Sequence, residues 1–382
     1  MIGKRQLAPQ QQEAAAYCSA GNFTALYQAI EADLRPWRDS GIPPQLMDSM
    51  LERFRDYPMR SKGVGVAFKG GVPFIITDPA GFEKVGHHKR LIAAHLALFS
   101  ALSATFGAAI PDVEFLVGTA DEPTVRLHTH ANGTDPASLP FVMRFCKSDS
   151  HADLMVPDIH FFMRNFTGRT AAADLWFCDV RKHFIWQYAR GANRSGLPID
   201  VAQQPKRDML YHASNKLLLH LDGQTCSSRL EQLLVLGSCV VKEESGYRAF
   251  FHHLLQPYQH YVPFWKEFPE EAADVMRWAA AHDGEAAAIA ARAQTLAATY
   301  LHKRALMCYW LKMLQAKGGF GRRNGRSIGA RAWGLAALLR YRPGPDAGDR
   351  RYPVWLPVAS YMAGEGTQEL ERYDLTTMEF WD

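Results

Sequence analysis

Leu217-Leu218-Leu219-His220-Leu221-Asp222-Gly223-Gln224-Thr225-Cys226-Ser227-Ser228-Arg229-Leu230 is the stretch that decides how this chain is read. A mostly apolar run ends in Asp-Gly, and two serines and an arginine follow where a helix is expected to open. Strand, tight turn and helix start, in that order, make the repeating unit of an α/β lobe. Backbone N–H groups in a first helical turn have no intrahelical partners, and the helix dipole is positive there. Serine hydroxyls add donors, and the planar guanidinium of Arg229 suits phosphate oxygens. Asp222, Ser227, Ser228 and Arg229 therefore read as a diphosphate site. The same residues also read as an ordinary serine N-cap beside a surface arginine.

Working outward, residues 174–317 look like one α/β lobe. Phe184–Tyr188 reads as a strand, and Tyr188-Ala189-Arg190-Gly191-Ala192-Asn193-Arg194-Ser195 closes it with a small basic loop. Ligands in open α/β sheets bind beyond the carboxyl ends of strands, which sends Arg190, Gly191 and Arg194 to the same crevice as Arg229. A solvated arginine is the competing reading. A helix is expected from Ser227 through Leu236, short strands over Cys239–Val241 and Tyr261–Phe264, then helices over 270–281, 285–301 and 303–316. Asp283 is the expected N-cap of the second of these.

The first half gives a second lobe, residues 57–173, behind a helical extension, residues 1–56. Two helices are expected in 13–56, split by the turn cluster 39–44. Val64–Phe68, Gly70-Gly71 and Val72–Thr77 read as a hairpin. Leu91–Ile110 has no formal charge, but its many alanines and its His95, Ser100, Ser103 and Thr105 fit a buried helix better than a membrane span. The strand Val113–Val117 then delivers Asp121 beyond its carboxyl end. A carboxylate there can accept a proton from a hydroxyl; it can also serve only as a turn former near Pro123. Residues 318–382 form a C-terminal extension of unknown role, opening with a Gly- and Arg-rich loop.

The 382 residues carry a net charge of +4. That suits an anionic small ligand and falls short of the concentrated basic face of a nucleic-acid-binding domain, so nucleic acid is not an expected partner. No metal is expected: His128, His130, His151 and Asp153 lack the spacing of a known zinc site, and no D-x-D pair is present. The six scattered cysteines read as reduced, mostly buried thiols. With a polar N-terminus, this points to a cytoplasmic location. Four N-x-[ST] sequons, at Asn22, Asn132, Asn165 and Asn193, keep an ER or Golgi lumen open, with a leader removed.

From residue 33 to 316 the chain resembles the protein O-glucosyltransferase family (Rumi-like and KDEL-motif-containing members). That family also includes fungal capsule-associated xylosyltransferases and bacterial lipopolysaccharide-modifying enzymes. The resemblance rests on Asp33-Leu34-Arg35-Pro36-Trp37, Pro111-Asp112-Val113-Glu114-Phe115, Asp121-Glu122-Pro123 and Ala152-Asp153-Leu154-Met155-Val156-Pro157-Asp158. It continues through Arg190-Gly191, His220-Leu221-Asp222-Gly223, Ser227-Ser228-Arg229, Gly237-Ser238-Cys239-Val240-Val241 and His260-Tyr261-Val262-Pro263. It implies a GT-B-like fold, two facing Rossmann-like lobes with a cleft between them. It also implies a UDP-sugar as donor substrate, no cofactor and no metal, and inversion at the anomeric carbon. Asp121 then corresponds to the general base, Arg190 and Arg229 to the arginines that hold the UDP diphosphate, and Ser227 and Ser228 to the small residues beside it. Glucose or xylose is the implied sugar. The implied acceptor is a glycan, lipopolysaccharide or protein hydroxyl, which allows peripheral membrane proximity. The alternative is a binding protein that keeps the fold without activity. The sequence departs from the family at Ala120, where many relatives carry Arg, at Ala189, at Ile159-His160 in place of Trp-Thr, and at Tyr258 in place of Trp.

Overall fold

The computed structural model describes residues 7–56, 62–127, 139–163, 209–268, 271–315, 334–345 and 352–372. Described residues up to Phe162 and from Arg304 onward form one compact unit; those from Met163 to Lys303 form a second.

The first unit opens with three helices, α1 (Pro9–Ser19), α2 (Thr24–Asp33) and α3 (Pro44–Asp56), one more than the sequence suggests. Strands β1 (Gly63–Lys69) and β2 (Val72–Ile75) form the expected hairpin. Its two turn residues, Gly70 and Gly71, have φ of 58° and 80°, the left-handed pair that matches the twist of an antiparallel ribbon. After α4 (His88–Phe106) come β3 (Val113–Gly118), β4 (Met143–Arg144), β5 (Cys146–Ser148) and β6 (Leu154–Met155).

The main sheet has the order β11-β2-β1-β3-β4-β6, where β11 is Leu356–Pro357. It is mixed. β1 runs antiparallel to both β2 and β3, with Val66 opposite Phe115, whereas β3, β4 and β6 are parallel. The expected Rossmann-like parallel order therefore holds only from β3 to β6, because the tight hairpin returns β1 antiparallel into the sheet centre. Helix α4 is long and apolar enough to cross a membrane, yet it is a core helix. Its Phe99 ring lies 5.4 Å from Phe115, 6.1 Å from Phe68 and 5.5 Å from Trp310.

The part of the tail that is described completes this unit. β11 covers the outer edge of β2. Glu114, fully buried in β3, accepts hydrogen bonds from the Tyr341 hydroxyl (2.7 Å) and the Tyr352 hydroxyl (2.6 Å). A carboxylate buried without such donors would be costly, so strand and tail depend on each other. Two helical turns, Val358–Met362 and Glu365–Glu371, pack on α4.

In the second unit the parallel strands β7 (Leu217–His220), β8 (Cys239–Glu243) and β10 (Val262–Phe264) lie in the order β10-β8-β7; β9 is Tyr247–Ala249. Leu221, Val241, Val262, Phe264, Ile289 and Ala290 share its core. The last two come from α6 (Asp283–Tyr300), which follows α5 (Glu271–Ala281). The N-cap of α6 is His282, not Asp283. Asp283 sits one residue further in, where its charge still favours the positive helix end, and it pairs with Lys216. The chain then returns to the first unit through α7 (Lys303–Leu314), whose Tyr309 hydroxyl donates to the Met155 carbonyl at 2.9 Å.

Cys18 of α1 and Cys308 of α7 form a disulfide across 290 residues of sequence. This corrects the expectation of reduced thiols, because sequence spacing does not show that the two helices meet; Cys146 and Cys226 are disulfide-bonded as well. Cys239 in β8 is a buried free thiol whose pKa burial pushes up to about 11. Cys18→Ser is expected to destabilise the first unit by about 2–4 kcal/mol. Thermal unfolding of the variant beside the parent chain checks this, and equal midpoints would show that the bridge contributes nothing.

Candidate active site

Asp121 stands just beyond the carboxyl end of β3, as the sequence predicts, and its loop is fixed from four sides. Thr119 opens the loop: its N–H and its hydroxyl both donate to the Lys62 carbonyl, and the hydroxyl oxygen faces His88 Nδ1 at 3.1 Å. Burial pushes His88 down to about 3, so the ring is neutral and Nδ1–H is the donor. Arg144, at the end of β4, is almost completely buried. Its guanidinium donates to the Ala120 carbonyl at 3.2 Å and through Nε to the Thr124 hydroxyl at 3.0 Å. It crosses β3 where that strand has Gly118, and a Cβ there would lie 2.2 Å from Arg144 Cζ. Asp153, fully buried, accepts from the Thr124 and Val125 amides at 2.9 and 2.8 Å.

These clamps leave Asp121 itself solvent-accessible at the tip of a rigid loop. Surrounding protein disfavours its charged form, and Glu122 and Asp158 repel it. The carboxyl is therefore raised above the usual range, while His160 and Lys62 oppose the rise. A carboxylate raised in this way is a better proton acceptor once ionised. Asp158 comes from the next parallel carboxyl end but one, just past β6.

A second clamp ties the N-terminal helices to the same sheet end. Buried Asp33, the last residue of α2, pairs with buried Lys147 and accepts the Met155 amide at 2.7 Å. Lys147 Nζ also donates to the Asp153 carbonyl at 2.8 Å. The Asp-Leu-Arg-Pro-Trp stretch thus supports the strand ends structurally, and its Trp37 Nε1–H donates to the Leu139 carbonyl at 3.0 Å.

In the second unit, Asp222 follows β7 and is 1% exposed. One carboxylate oxygen accepts the Ser227 amide at 2.9 Å and faces His220 Nε2 at 3.3 Å; the other accepts the Ser245 hydroxyl. Its own N–H donates to Glu243 Oε2 at 3.0 Å. Burial alone would raise the carboxyl, but these donors outweigh it and hold Asp222 well below the usual carboxylate range. Both oxygens are engaged inside the protein, so Asp222, which the sequence assigns to the diphosphate site, shapes the Ser227–Arg229 turn. Burial holds His220 towards its neutral form.

Ser227, Ser228 and Arg229 are half-buried. The expected helix from Ser227 to Leu236 is one turn, Leu230–Leu234, with Arg229 as its N-cap. The physical reason is the Asp222 carboxylate: it takes the Ser227 amide and holds both serines in a turn ahead of the helix. Five helical residues make a weak dipole, so the groups at this turn with the chemistry to meet an anion are the serine hydroxyls and Arg229. Arg190, Gly191 and Arg194 lie outside the described residues, as do His128 and His130. His151 Nδ1 is within 2.8 Å of the Ser148 hydroxyl. Among the described residues no three His, Cys, Asp or Glu side chains gather into a metal-holding group.

Residues 18–183 and 174–321 match the sequence profile of glycosyl transferase family 90. The chain belongs to that family. It is 25% identical over 252 residues to protein O-glucosyltransferase 2 of Danio rerio, covering 56% of this chain and 49% of that protein. It is 26% identical over 253 residues to protein O-glucosyltransferase 3 of Homo sapiens, covering 56% and 48%. It thus spans about half the length of these two relatives. With the O-glucosyltransferase rumi homolog of Aedes aegypti it is 24% identical over 348 residues, covering 79% of each. Family membership bears out the Rumi-like resemblance read from the motifs.

Arg144 is the residue that sequence reasoning missed. Only Gly118, a glycine in a buried strand, hints that something must cross it. Arg144→Lys keeps the charge but loses the fork. It is expected to lower stability by about 1–3 kcal/mol and the turnover attributed to Asp121 by on the order of 10²-fold. Melting curves and initial rates on the same preparation check both, and an unaltered rate would show that the loop does not need its clamp.

Proposed function

We propose that the chain is an inverting glycosyltransferase that moves a sugar, glucose or xylose, from a UDP-sugar to a hydroxyl of a glycan, lipopolysaccharide or protein. Asp121 takes the proton of the acceptor hydroxyl as its oxygen attacks the anomeric carbon. The C–O bond to UDP breaks on the opposite face, and its electron pair leaves with the β-phosphate oxygen. Arg229, with the hydroxyls of Ser227 and Ser228, stabilises the charge that grows on the diphosphate, and Arg190 and Arg194 join it. The single observation that carries this reading is Asp121: a solvent-open carboxylate of raised basicity, held rigidly beyond a parallel strand, in a member of a glycosyltransferase family.

The reading includes no cofactor, no metal and no nucleic-acid partner, because guanidinium groups neutralise the diphosphate. The GT-B-like pairing of two lobes belongs to the same proposal, as does peripheral membrane proximity. For location, the Cys18–Cys308 disulfide favours an oxidising lumen over the cytoplasm, and exposed Asn22 begins a sequon.

A panel of UDP-sugars tested for binding and slow hydrolysis examines the donor. UDP-glucose or UDP-xylose is expected to bind and release UDP, and Arg229→Ala to weaken binding by roughly tenfold or more, the loss of a charge-assisted hydrogen bond. Absence of binding by UDP and by every UDP-sugar would remove the transferase reading. Tight binding without turnover would favour the inactive binding protein.

A further inference from the structure

The turn between α1 and α2 holds Asn22-Phe23-Thr24, and the reaction above makes no use of it. Burial divides its three residues. Phe23 is 2% exposed, and its ring meets Tyr17 at 5.8 Å and Tyr27 at 6.4 Å, both edge to face. The Thr24 hydroxyl and amide both donate to the Gly21 carbonyl, at 2.9 and 3.3 Å. Gly21 turns the chain with φ of 87°, and a Cβ there would meet nothing within 4 Å, so the outer side of the turn faces open space. Asn22 is exposed, and among the described residues no hydrogen bond engages its side chain. An N-x-T tripeptide is an acceptor for N-glycosylation, and this one is folded with its asparagine outward. Asn132, Asn165 and Asn193, which open the other sequons, lie outside the described residues.

The contacts that bury the rest of this segment come from far along the chain. The Arg304 guanidinium covers the Tyr17 ring at 3.8 Å, Lys312 Nζ lies 5.7 Å from the Tyr27 ring, and Cys18 is bonded to Cys308. All three partners belong to α7, which follows by 290 positions at the disulfide. Until α7 is made, Phe23, Leu26, Tyr27 and Ile30, buried in the finished fold, are uncovered on the growing chain. Apolar surface exposed in that way is where chains aggregate. The bridge also requires an oxidising compartment, and Cys146 and Cys226 are disulfide-bonded too.

Resting on the reading of an oxidising lumen, we propose that Asn22 carries an N-linked oligosaccharide that keeps the α1–α2 segment soluble until α7 covers it. The donor is a lipid-diphosphate-linked oligosaccharide. A bond forms from Asn22 Nδ2 to the anomeric carbon, and the bond from that carbon to the diphosphate oxygen breaks. The electron pair leaves with the diphosphate, and the amide proton passes to a base of the transferring enzyme. The folded turn accommodates the product because the asparagine faces solvent. The sugar acts on folding and adds nothing to the finished unit's stability, since the Asn22 side chain serves no contact there.

The test uses the full chain isolated from the cells that make it, with free thiols blocked at lysis. Peptide mass spectrometry before and after release by peptide-N-glycosidase reads Asn22, and the same digest reads Cys18 and Cys308. The expected result is an Asn22 peptide of glycan-bearing mass that collapses to the aspartate form, with the two cysteines joined. Unmodified Asn22 would overturn the proposal. Joined cysteines would then leave the lumen reading standing, and free ones would remove it as well. Asn22→Gln is expected to lose the sugar and to lower the yield of disulfide-bonded chain several-fold. Thr24→Ser keeps the sequon hydroxyl and is expected to keep both sugar and yield. Undiminished yield from Asn22→Gln would overturn the folding role. The glycosidase-treated parent, with an aspartate in place of Asn22, is expected to melt where the parent does. A failure of Asn22→Gln to fold is then the loss of the sugar and not of an asparagine contact. A lower midpoint in the treated parent would overturn the assignment to folding.

Discussion

The buried guanidinium of Arg144 is the interaction on which the placement of the Asp121 loop depends. It spans from β4 across the bare backbone of Gly118 to the Ala120 carbonyl and the Thr124 hydroxyl. A charge taken out of water must be fully hydrogen-bonded, and those partners are the two ends of the turn that carries Asp121. Asp153 then supplies the opposite charge nearby and takes the two amides that follow. An exposed carboxylate on a loop would ordinarily sample many positions. Here the loop has few alternatives, because leaving its place would strand a buried arginine and a buried aspartate together.

The second unit repeats this arrangement with different residues. Asp222 is buried at a strand end and organises a turn through Ser227, Ser245 and His220. In both units a buried carboxylate next to a parallel strand is satisfied inside the protein, Asp153 by two backbone amides and Asp222 by an amide, a hydroxyl and an imidazole, and a nearby residue meets solvent. Asp153 supports Asp121, and Asp222 supports Arg229. The charged residues that define the motifs are thus of two kinds, and burial separates them.

That distinction is what the sequence could not display. Asp121, Asp153 and Asp222 are alike as aspartates beside apolar runs, yet only the first is open to solvent. The strands were legible, because β1, β2, β3, β7 and β8 are runs of Val, Leu, Phe and Cys bounded by Gly and Asp. Helix α4 was legible from its uncharged, alanine-rich length. The sheet direction was not: the β1–β3 pairing comes from a long-range register that hydrophobic pattern does not encode. The one-turn helix after Arg229 was overestimated, because the Asp222 side chain competes for the Ser227 amide, and local propensity cannot see that competition. The C-terminal tail gave no signal because its anchors, Tyr341 and Tyr352, act on a glutamate more than 200 positions away. Arg190, Gly191 and Arg194 remain readings of the sequence, outside the described residues.

The proposed reaction rests on one residue of the first unit, Asp121, as proton acceptor. The most direct measurement is the single-turnover rate of sugar transfer to water by the Asp121→Asn variant, with UDP binding measured on the same sample. The account predicts a rate lower by on the order of 10²–10⁴-fold while UDP still binds with wild-type affinity. A variant that transfers sugar at the wild-type rate would contradict it.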